Sequence, residues 1–155
     1  MDGNCQMISY EINTSNKIYP KISLSDCIVE NIEPINNSLK MRFNIFGFWV
    51  KKCEELKYNR VKNAELILLN CNFNNSSITI FKPHRFFFRK YQIEGYIGFE
   101  ELFDKINCGI WKLEIIQEYS NEMGGLFFGK IREKKGFMSC YIHIEYQKKE
   151  YRYLE

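Results

Sequence analysis

The sequence predicts a mostly β (α+β) protein, in which a single antiparallel sheet, sandwich or half-barrel carries one short helix packed on it. Composition is the first observation behind this prediction. The chain has 13 Phe and 10 Tyr but a single Ala, Ala64, and strands favour aromatic residues whereas helices favour Ala. The second observation is period-two alternation of apolar and polar residues in several segments. The third is one segment with helical spacing.

The length of 155 residues predicts one domain over residues 1–155, with residues 1–16 as a loose edge strand or tail. The net charge of +3 is too small for a dedicated nucleic-acid-binding surface, so nucleic acid is an unfavoured partner. No apolar run approaches the roughly 18 residues that span a bilayer, so no membrane association is expected. The first residues lack a secretory signal, and the prediction is therefore a cytoplasmic protein.

The first half of the chain predicts a hairpin and a central strand. Residues 24–32 have strand character and are followed by Glu33-Pro34, which we expect to end the strand. Residues 39–45 alternate strictly and form the second strand of the hairpin. Residues 46–57 are ambiguous, whereas residues 64–69 are apolar on both faces, as in a central strand.

The second half predicts one helix among strands. Residues 70–77 are rich in Asn and Ser and predict a loop, and residues 78–81 predict a strand that ends near Pro83. The helix covers residues 99–106, because four apolar residues recur at i, i+3, i+4 and i+7 (Phe99, Leu102, Phe103 and Ile106). Gly109 suits a left-handed C-terminal cap. Three antiparallel strands follow within residues 111–116, 126–129 and 137–145.

The six cysteines are predicted to be free, buried thiols. They are Cys5, Cys27, Cys53, Cys71, Cys108 and Cys140. No pair has C-x-x-C spacing and neither histidine lies at a metal-finger distance, so we expect no metal, no disulfide and no cofactor.

No motif predicts an enzyme. The segment from Gly124 to Lys130 matches most of a phosphate-binding loop, but Ile131 stands where Ser or Thr would reach magnesium. His84 lies in an expected loop, and His143 alternates with core residues on the opposite face of its strand. Neither has a recognisable nucleophile and orienting group, so we assign no catalytic residue.

Two charged clusters are candidate binding surfaces. The helical phase turns Glu100, Glu101 and Asp104 together away from the core, which gives an acidic surface for a basic partner. The alternative is a basic patch around three phenylalanines, formed by Lys82, Arg85, Arg89 and Lys90. Aromatic and basic residues together suit single-stranded nucleic acid. We favour the interpretation that Phe86, Phe87 and Phe88 enter the core.

The predicted hairpin also resembles the corresponding part of a known protein family. Leu24-Ser25-Asp26-Cys27-Ile28, Ile32 and the alternating Leu39-Lys40-Met41-Arg42-Phe43 resemble small bacterial immunity proteins of polymorphic-toxin and contact-dependent growth inhibition systems. Ser25 departs from the His that this family often has. The strand at 64–68, the helix at 100–106 and the segment 111–118 fit the same layout, so the resemblance covers about two thirds of the chain.

This resemblance implies a non-enzymatic cytoplasmic protein that neutralises a cognate toxin domain by direct binding. If that toxin is a nuclease, carboxylates at Glu100, Glu101 and Asp104 can imitate phosphate in its basic active site. The alternatives are an accessory β domain that binds nucleic acid or another ligand, and an enzyme whose site is assembled from scattered residues. The oligomeric state is not predicted.

Overall fold

The computed structural model describes residues 5–11, as main chain, and residues 20–154. In chain order the strands and the helix are β1 (Cys5–Glu11), β2 (Lys21–Ser23), β3 (Cys27–Ile35), β4 (Ser38–Phe43), β5 (Trp49–Lys51), β6 (Asn59–Arg60), β7 (Lys62–Leu69), β8 (Asn72–Phe86), β9 (Arg89–Ile97), α1 (Phe99–Asn107), β10 (Lys112–Asn121), β11 (Gly124–Glu133), β12 (Gly136–Glu145) and β13 (Lys148–Leu154). The prediction of a mostly β, antiparallel protein with one short helix is confirmed.

Ten strands form one sheet and three form another. The larger sheet has the order β1-β13-β7-β4-β3-β10-β11-β12-β8-β9, and the smaller has the order β2-β5-β6. Every pairing between neighbouring strands is antiparallel. Of the predicted N-terminal segment, residues 5–11 form an edge strand of the larger sheet. Residues 1–4 and 12–16 lie outside the described residues.

One face of the larger sheet is the core face, called the inner face below. Apolar side chains alternate along the central strands and are almost fully buried there, as in Leu39 and Met41 of β4 or Cys140 and Ile142 of β12. The smaller sheet packs over part of this face. Phe48, just before β5, makes edge-to-face contacts with Phe43 at 5.4 Å, Tyr151 at 5.7 Å and Tyr153 at 5.8 Å between ring centroids.

The helix packs on the inner face beside β3. Leu102, Phe103 and Ile106 are buried, which confirms the predicted helical phase. At its C-terminus the Asn107 side chain accepts the main-chain N–H of Ile32 and donates to the carbonyl of the same residue, both at 2.8 Å. Gly109 has φ of +76° and donates its N–H to Ile106, which is the left-handed cap that the sequence predicts.

Two strands run through prolines that were expected to end them. β3 continues through Pro34 to Ile35, and β8 continues through Pro83 to Phe86. Pro34 pairs with β4 but lies beyond Val29, the last residue of β3 that β10 pairs. Pro83 likewise lies beyond Phe81, the last residue that β12 pairs. Each proline therefore has a sheet partner on one side only, and such positions tolerate a missing N–H.

The predicted loop at residues 70–77 is wrong, because β8 begins at Asn72. Its pairing with β12 shifts register between His143 and Glu145, which accommodates the extra polar residues. Ser76 stabilises this irregularity. Its hydroxyl donates to the Asn72 carbonyl at 2.7 Å and accepts the Glu145 N–H at 3.0 Å. Asn and Ser side chains thus replace ladder hydrogen bonds within a strand.

In the described part of the chain, no helix is long and apolar enough to cross a bilayer.

Candidate binding surface

An aromatic cluster occupies the face of the larger sheet opposite the core. The strand register places four residues side by side in one row across the sheet. They are Phe128 of β11, Tyr141 of β12, Thr79 of β8 and Tyr96 of β9. Phe81 lies in the next row, between Ser139 and Glu94. Phe137, the second residue of β12, lies opposite Arg132. We call Phe81, Tyr96, Phe128, Phe137 and Tyr141 the aromatic outer face.

These rings contact one another and remain open to solvent. The ring centroids of Phe81 and Tyr141 are 5.6 Å apart at 89°, and those of Phe128 and Tyr141 are 5.0 Å apart at 35°. Tyr96 is 75% exposed, Phe137 47% and Tyr141 40%. The helix covers the inner face and leaves these rings uncovered. Contiguous exposed apolar surface of this kind marks interaction sites on proteins.

Charges of both signs border the aromatic outer face. The Lys130 ammonium lies 5.2 Å from the centre of the Phe137 ring. Arg132 donates two hydrogen bonds to the Glu114 carboxylate, at 2.9 and 3.0 Å. The Tyr96 hydroxyl donates to Glu94 at 3.4 Å. The surface is therefore amphipathic and close to neutral, which suits a protein partner better than a polyanion.

The predicted basic patch lies at the tip of the β8–β9 hairpin. Arg85 pairs with Lys90, and Phe86 pairs with Arg89 across a two-residue turn. Strand alternation separates Lys82 and Lys90, which lie on opposite faces of the hairpin. The patch is therefore divided between two faces, although Lys82, Arg89 and Lys90 are all exposed.

The expectation that the phenylalanines of this segment enter the core is wrong for two of them. Phe87 is 79% exposed and Phe88 is fully exposed. They form the turn itself, and Phe87 has the left-handed φ of +55° that such a turn requires. The side chain of Phe86 lies outside what the structure describes. The hairpin therefore presents apolar rings to solvent at its tip.

The helix carboxylates lie on the exposed side of α1. Glu100, Glu101 and Asp104 are all solvent-exposed, as the helical phase predicts. Glu101 accepts a hydrogen bond from Lys105 at 2.9 Å, and the Lys105 ammonium also lies 4.3 Å from the Trp111 ring centre. This lysine offsets part of the acidic charge. The helix covers the inner face, so the three carboxylates are separated by the sheet from the aromatic outer face.

A polar cluster that sequence reasoning missed lies within the inner face. Lys149 donates to Glu118 at 2.6 Å and to the Ser120 hydroxyl at 2.9 Å. The Tyr151 hydroxyl lies 3.1 and 3.2 Å from the two oxygens of Glu118. Ser120 also lies 3.4 Å from the Tyr146 hydroxyl, and burial raises the pKa of Tyr146 to about 12. The Glu118 carboxylate has partners on both oxygens, which is the arrangement of a structural ion pair.

The described cysteines fall into two classes. Cys27, Cys71 and Cys140 are buried free thiols, and burial raises their pKa to about 11, 11 and 12. Cys53 and Cys108 are also free but exposed, which corrects the expectation that all are buried. In residues 5–11 and 20–154, no three His, Cys, Asp or Glu side chains converge as metal ligands would.

A pocket lies at the smaller sheet. It is lined by Val50, Lys52, Glu55, Asn59, Arg60 and Val61. The Arg60 guanidinium donates to the carbonyls of Phe46 and Gly47 and lies 4.0 Å from the Trp49 ring centre. Arg60 therefore holds the segment before β5 in place through one guanidinium nitrogen, which donates to both carbonyls.

Part of the aromatic outer face could have been predicted from the sequence. Phe137 and Tyr141 alternate with the buried Met138, Cys140 and Ile142, so the period of two alone places them away from the core. Phe81 and Tyr96 join them only through the pairing of β12 with β8 and of β8 with β9. No local pattern predicts that strand order.

A scan against protein-family models and searches of curated proteins and of solved structures found no match to this chain.

Proposed function

We propose that this chain is a non-enzymatic binding protein that neutralises a cognate bacterial toxin domain by direct contact. The observation that carries the proposal is the aromatic outer face, where Tyr96, Phe137 and Tyr141 are exposed on a sheet face that nothing in the described chain covers. Tyr and other aromatic residues dominate the energetically important centres of protein interfaces. The resemblance of the β3–β4 hairpin to bacterial immunity proteins supports the choice of partner.

The chemistry of the surface supports protein binding over catalysis. The cluster consists of rings, hydroxyls and paired charges such as Arg132 with Glu114. A catalytic site needs a nucleophile or an acid–base pair in a water-excluding cleft, and this surface is a sheet face open to solvent. We place the protein in the cytoplasm, where a reducing environment keeps the exposed Cys53 and Cys108 as thiols.

The test is co-expression with a candidate toxin domain, to be sought in a neighbouring reading frame. Tyr141→Ala and Tyr96→Ala should each lose protection of growth and weaken calorimetric binding at least about tenfold, because truncating an aromatic hot-spot residue costs about 2 kcal/mol or more. Tyr58→Ala is the matched control, since Tyr58 is similarly exposed at 39% but lies beside β6. Full protection by both variants, with folding intact, contradicts the proposal.

The same growth-protection assay also tests the helix carboxylates. Charge reversal of Glu100, Glu101 and Asp104 to Lys should leave protection intact if the aromatic outer face carries the affinity. Lost protection by this variant, with protection retained in Tyr141→Ala, assigns the interface to the helix and to a basic partner such as a nuclease active site.

The second candidate function is binding of single-stranded nucleic acid. It is favoured by Lys130, which lies over the Phe137 ring beside Tyr141 and Phe128, since bases stack on such rings. Fluorescence anisotropy with single-stranded DNA and RNA at low and moderate salt decides it. Binding that falls steeply with salt and is lost in Tyr141→Ala supports this function.

A further inference from the structure

The last strand of the larger sheet, β9, has one unpaired edge. It pairs with β8 on one side, and within the described residues no strand pairs with the other. The two-residue turn at Phe87 and Phe88 makes Phe86 and Arg89 the closing pair, whose main-chain groups face each other. Alternation then directs the main-chain N–H and C=O of Lys90, Gln92, Glu94 and Tyr96 outward.

This edge lacks several of the usual protections against strand pairing. Natural edge strands are short, contain proline, a bulge or charged side chains, or are covered by another element. β9 contains no proline, and its pairing with β8 has no register shift over nine residue pairs. Its outward-facing residues include one positive and one negative charge, Lys90 and Glu94. Ile93 is 49% exposed on the same strand.

We propose that two copies of this chain form a two-fold symmetric dimer by antiparallel pairing of β9 with β9, with the axis at Gln92. The occupant of the edge is therefore a second copy, and the sheets of the two copies become one continuous sheet. The pairing supplies about six main-chain hydrogen bonds from Lys90, Gln92 and Glu94 of both copies. A strand added to an exposed edge is a recurring mode of association.

Charge complementarity selects this register. With the axis at Gln92, Lys90 of each copy lies opposite Glu94 of the other, so the interface contains two opposite-charge pairs. A shift that centres the axis on Ile93 loses both pairs. A shift that centres it on Glu94 sets the two carboxylates against each other, which is destabilising.

The same register also covers exposed aromatic rings. It brings Phe88 of one copy, at the hairpin tip, beside Tyr96 of the other. Phe88 is fully exposed and Tyr96 is 75% exposed in the single chain. Two aromatic pairs therefore flank the two charge pairs, and both kinds of contact arise from one alignment. Isologous contacts of this kind close into a dimer without further growth.

The experiment measures mass in solution by sedimentation and by light scattering, without any toxin present. The wild-type chain should give twice its 18.7 kDa mass, with dissociation on dilution. Lys90→Glu and Glu94→Lys each set like charges opposite one another and should weaken dimerisation at least about tenfold. The double variant with both changes restores opposite charges with their signs exchanged, and it should dimerise again.

Lys134→Glu is the control for net charge, because Lys134 is exposed in the β11–β12 turn and should leave the dimer intact. Circular dichroism checks that every variant is folded. A wild-type chain that stays monomeric at the highest concentration at which it is soluble overturns the proposal, because mass action favours the dimer there. A dimer unaffected by both single changes, or a double variant that stays monomeric, overturns the β9 register. Toxin binding is a separate measurement, and its deciding variant is Tyr141→Ala, because Tyr141 lies on β12, two strands away from the β9 edge. The dimer and the proposed function can therefore fail independently.

Discussion

Lys149 and Glu118 lie on strands four places apart in the larger sheet, yet their side chains meet at 2.6 Å. Strands spaced about 4.8 Å apart cannot make this contact in a flat sheet. The sheet therefore curls so that the inner faces of β13 and β10 approach each other. Of the predicted alternatives, the half-barrel agrees best with this contact, while the smaller sheet adds a second layer over β4 and β13.

This ion pair gives the first prediction. The Lys149 and Glu118 side chains are only 15% and 12% exposed, so Lys149→Met leaves a mostly buried carboxylate without its counter-charge. We expect the free energy of unfolding to fall by about 3 kcal/mol in urea melts. Lys40→Met is the control, because Lys40 and Glu33 are 28% and 51% exposed, and it should cost less than about 1 kcal/mol. Equal losses of unfolding free energy in the two variants would show that water solvates the Lys149–Glu118 pair.

The second prediction concerns the helix. Phe103 is 8% exposed and packs into the core, so Phe103→Ala should lower the free energy of unfolding by about 3–5 kcal/mol. Glu101→Ala removes only an exposed pair with Lys105 and should cost about 0.5 kcal/mol or less. Denaturant melts of the two variants compare them directly. If the two variants unfold at similar denaturant concentrations, the result contradicts the packing of α1 on the sheet.

The third prediction concerns the thiols. With Cys5 replaced by Ser, alkylation at pH 8 should modify Cys53 and Cys108 at least about tenfold faster than the other cysteines, because thiolate formation and access control the rate. Cys140 should be slowest, since burial raises its pKa to about 12. Peptide mass spectrometry measures each rate. In urea the alkylation rates of the five cysteines should converge. Rapid alkylation of Cys140 in the folded protein would contradict its burial in the core.

The fourth prediction concerns alkaline pH. Burial raises the pKa of Tyr146 from about 10 in the unfolded chain to about 12 in the folded protein. The folded state therefore keeps a proton that the unfolded state releases, so this stabilisation is complete below pH 10 and is lost as the pH rises toward 12. We expect a contribution on the order of 2 kcal/mol. Between pH 8 and about 11.5 the wild type should lose stability relative to Tyr146→Phe, because the phenylalanine ring has no proton to release.

Sequence reasoning reached the elements whose pattern is local. The helix phase follows from Phe99, Leu102, Phe103 and Ile106, and β12 follows from strict alternation. β13 was missed because its buried residues are Tyr151 and Tyr153 among charged neighbours, a pattern typical of a surface segment. β9 was missed for a similar reason, since it mixes charges with a glycine. β13 is buried and paired through the distant strands β1 and β7, whereas β9 pairs with its sequence neighbour β8.

The candidate surfaces also differ in whether a local sequence pattern predicts them. Exposure of Glu100, Glu101 and Asp104 follows from helix geometry alone. The aromatic outer face combines residues of β8, β9, β11 and β12, whose order in the sheet depends on contacts far apart in the chain. The contact between Glu118 and Lys149 likewise depends on sheet curvature, which no single segment encodes.

The position of β13 between β1 and β7 has a consequence for synthesis on the ribosome. Neighbours in sequence pair along β10, β11 and β12, so this meander can assemble as soon as it emerges. β1 is made first but pairs with residues 148–154, which are made after every other described strand. Until residues 148–154 are made, β1 therefore has no partner strand, and β7 is paired only with β4. A chaperone that binds extended apolar segments has its longest opportunity at residues 5–11.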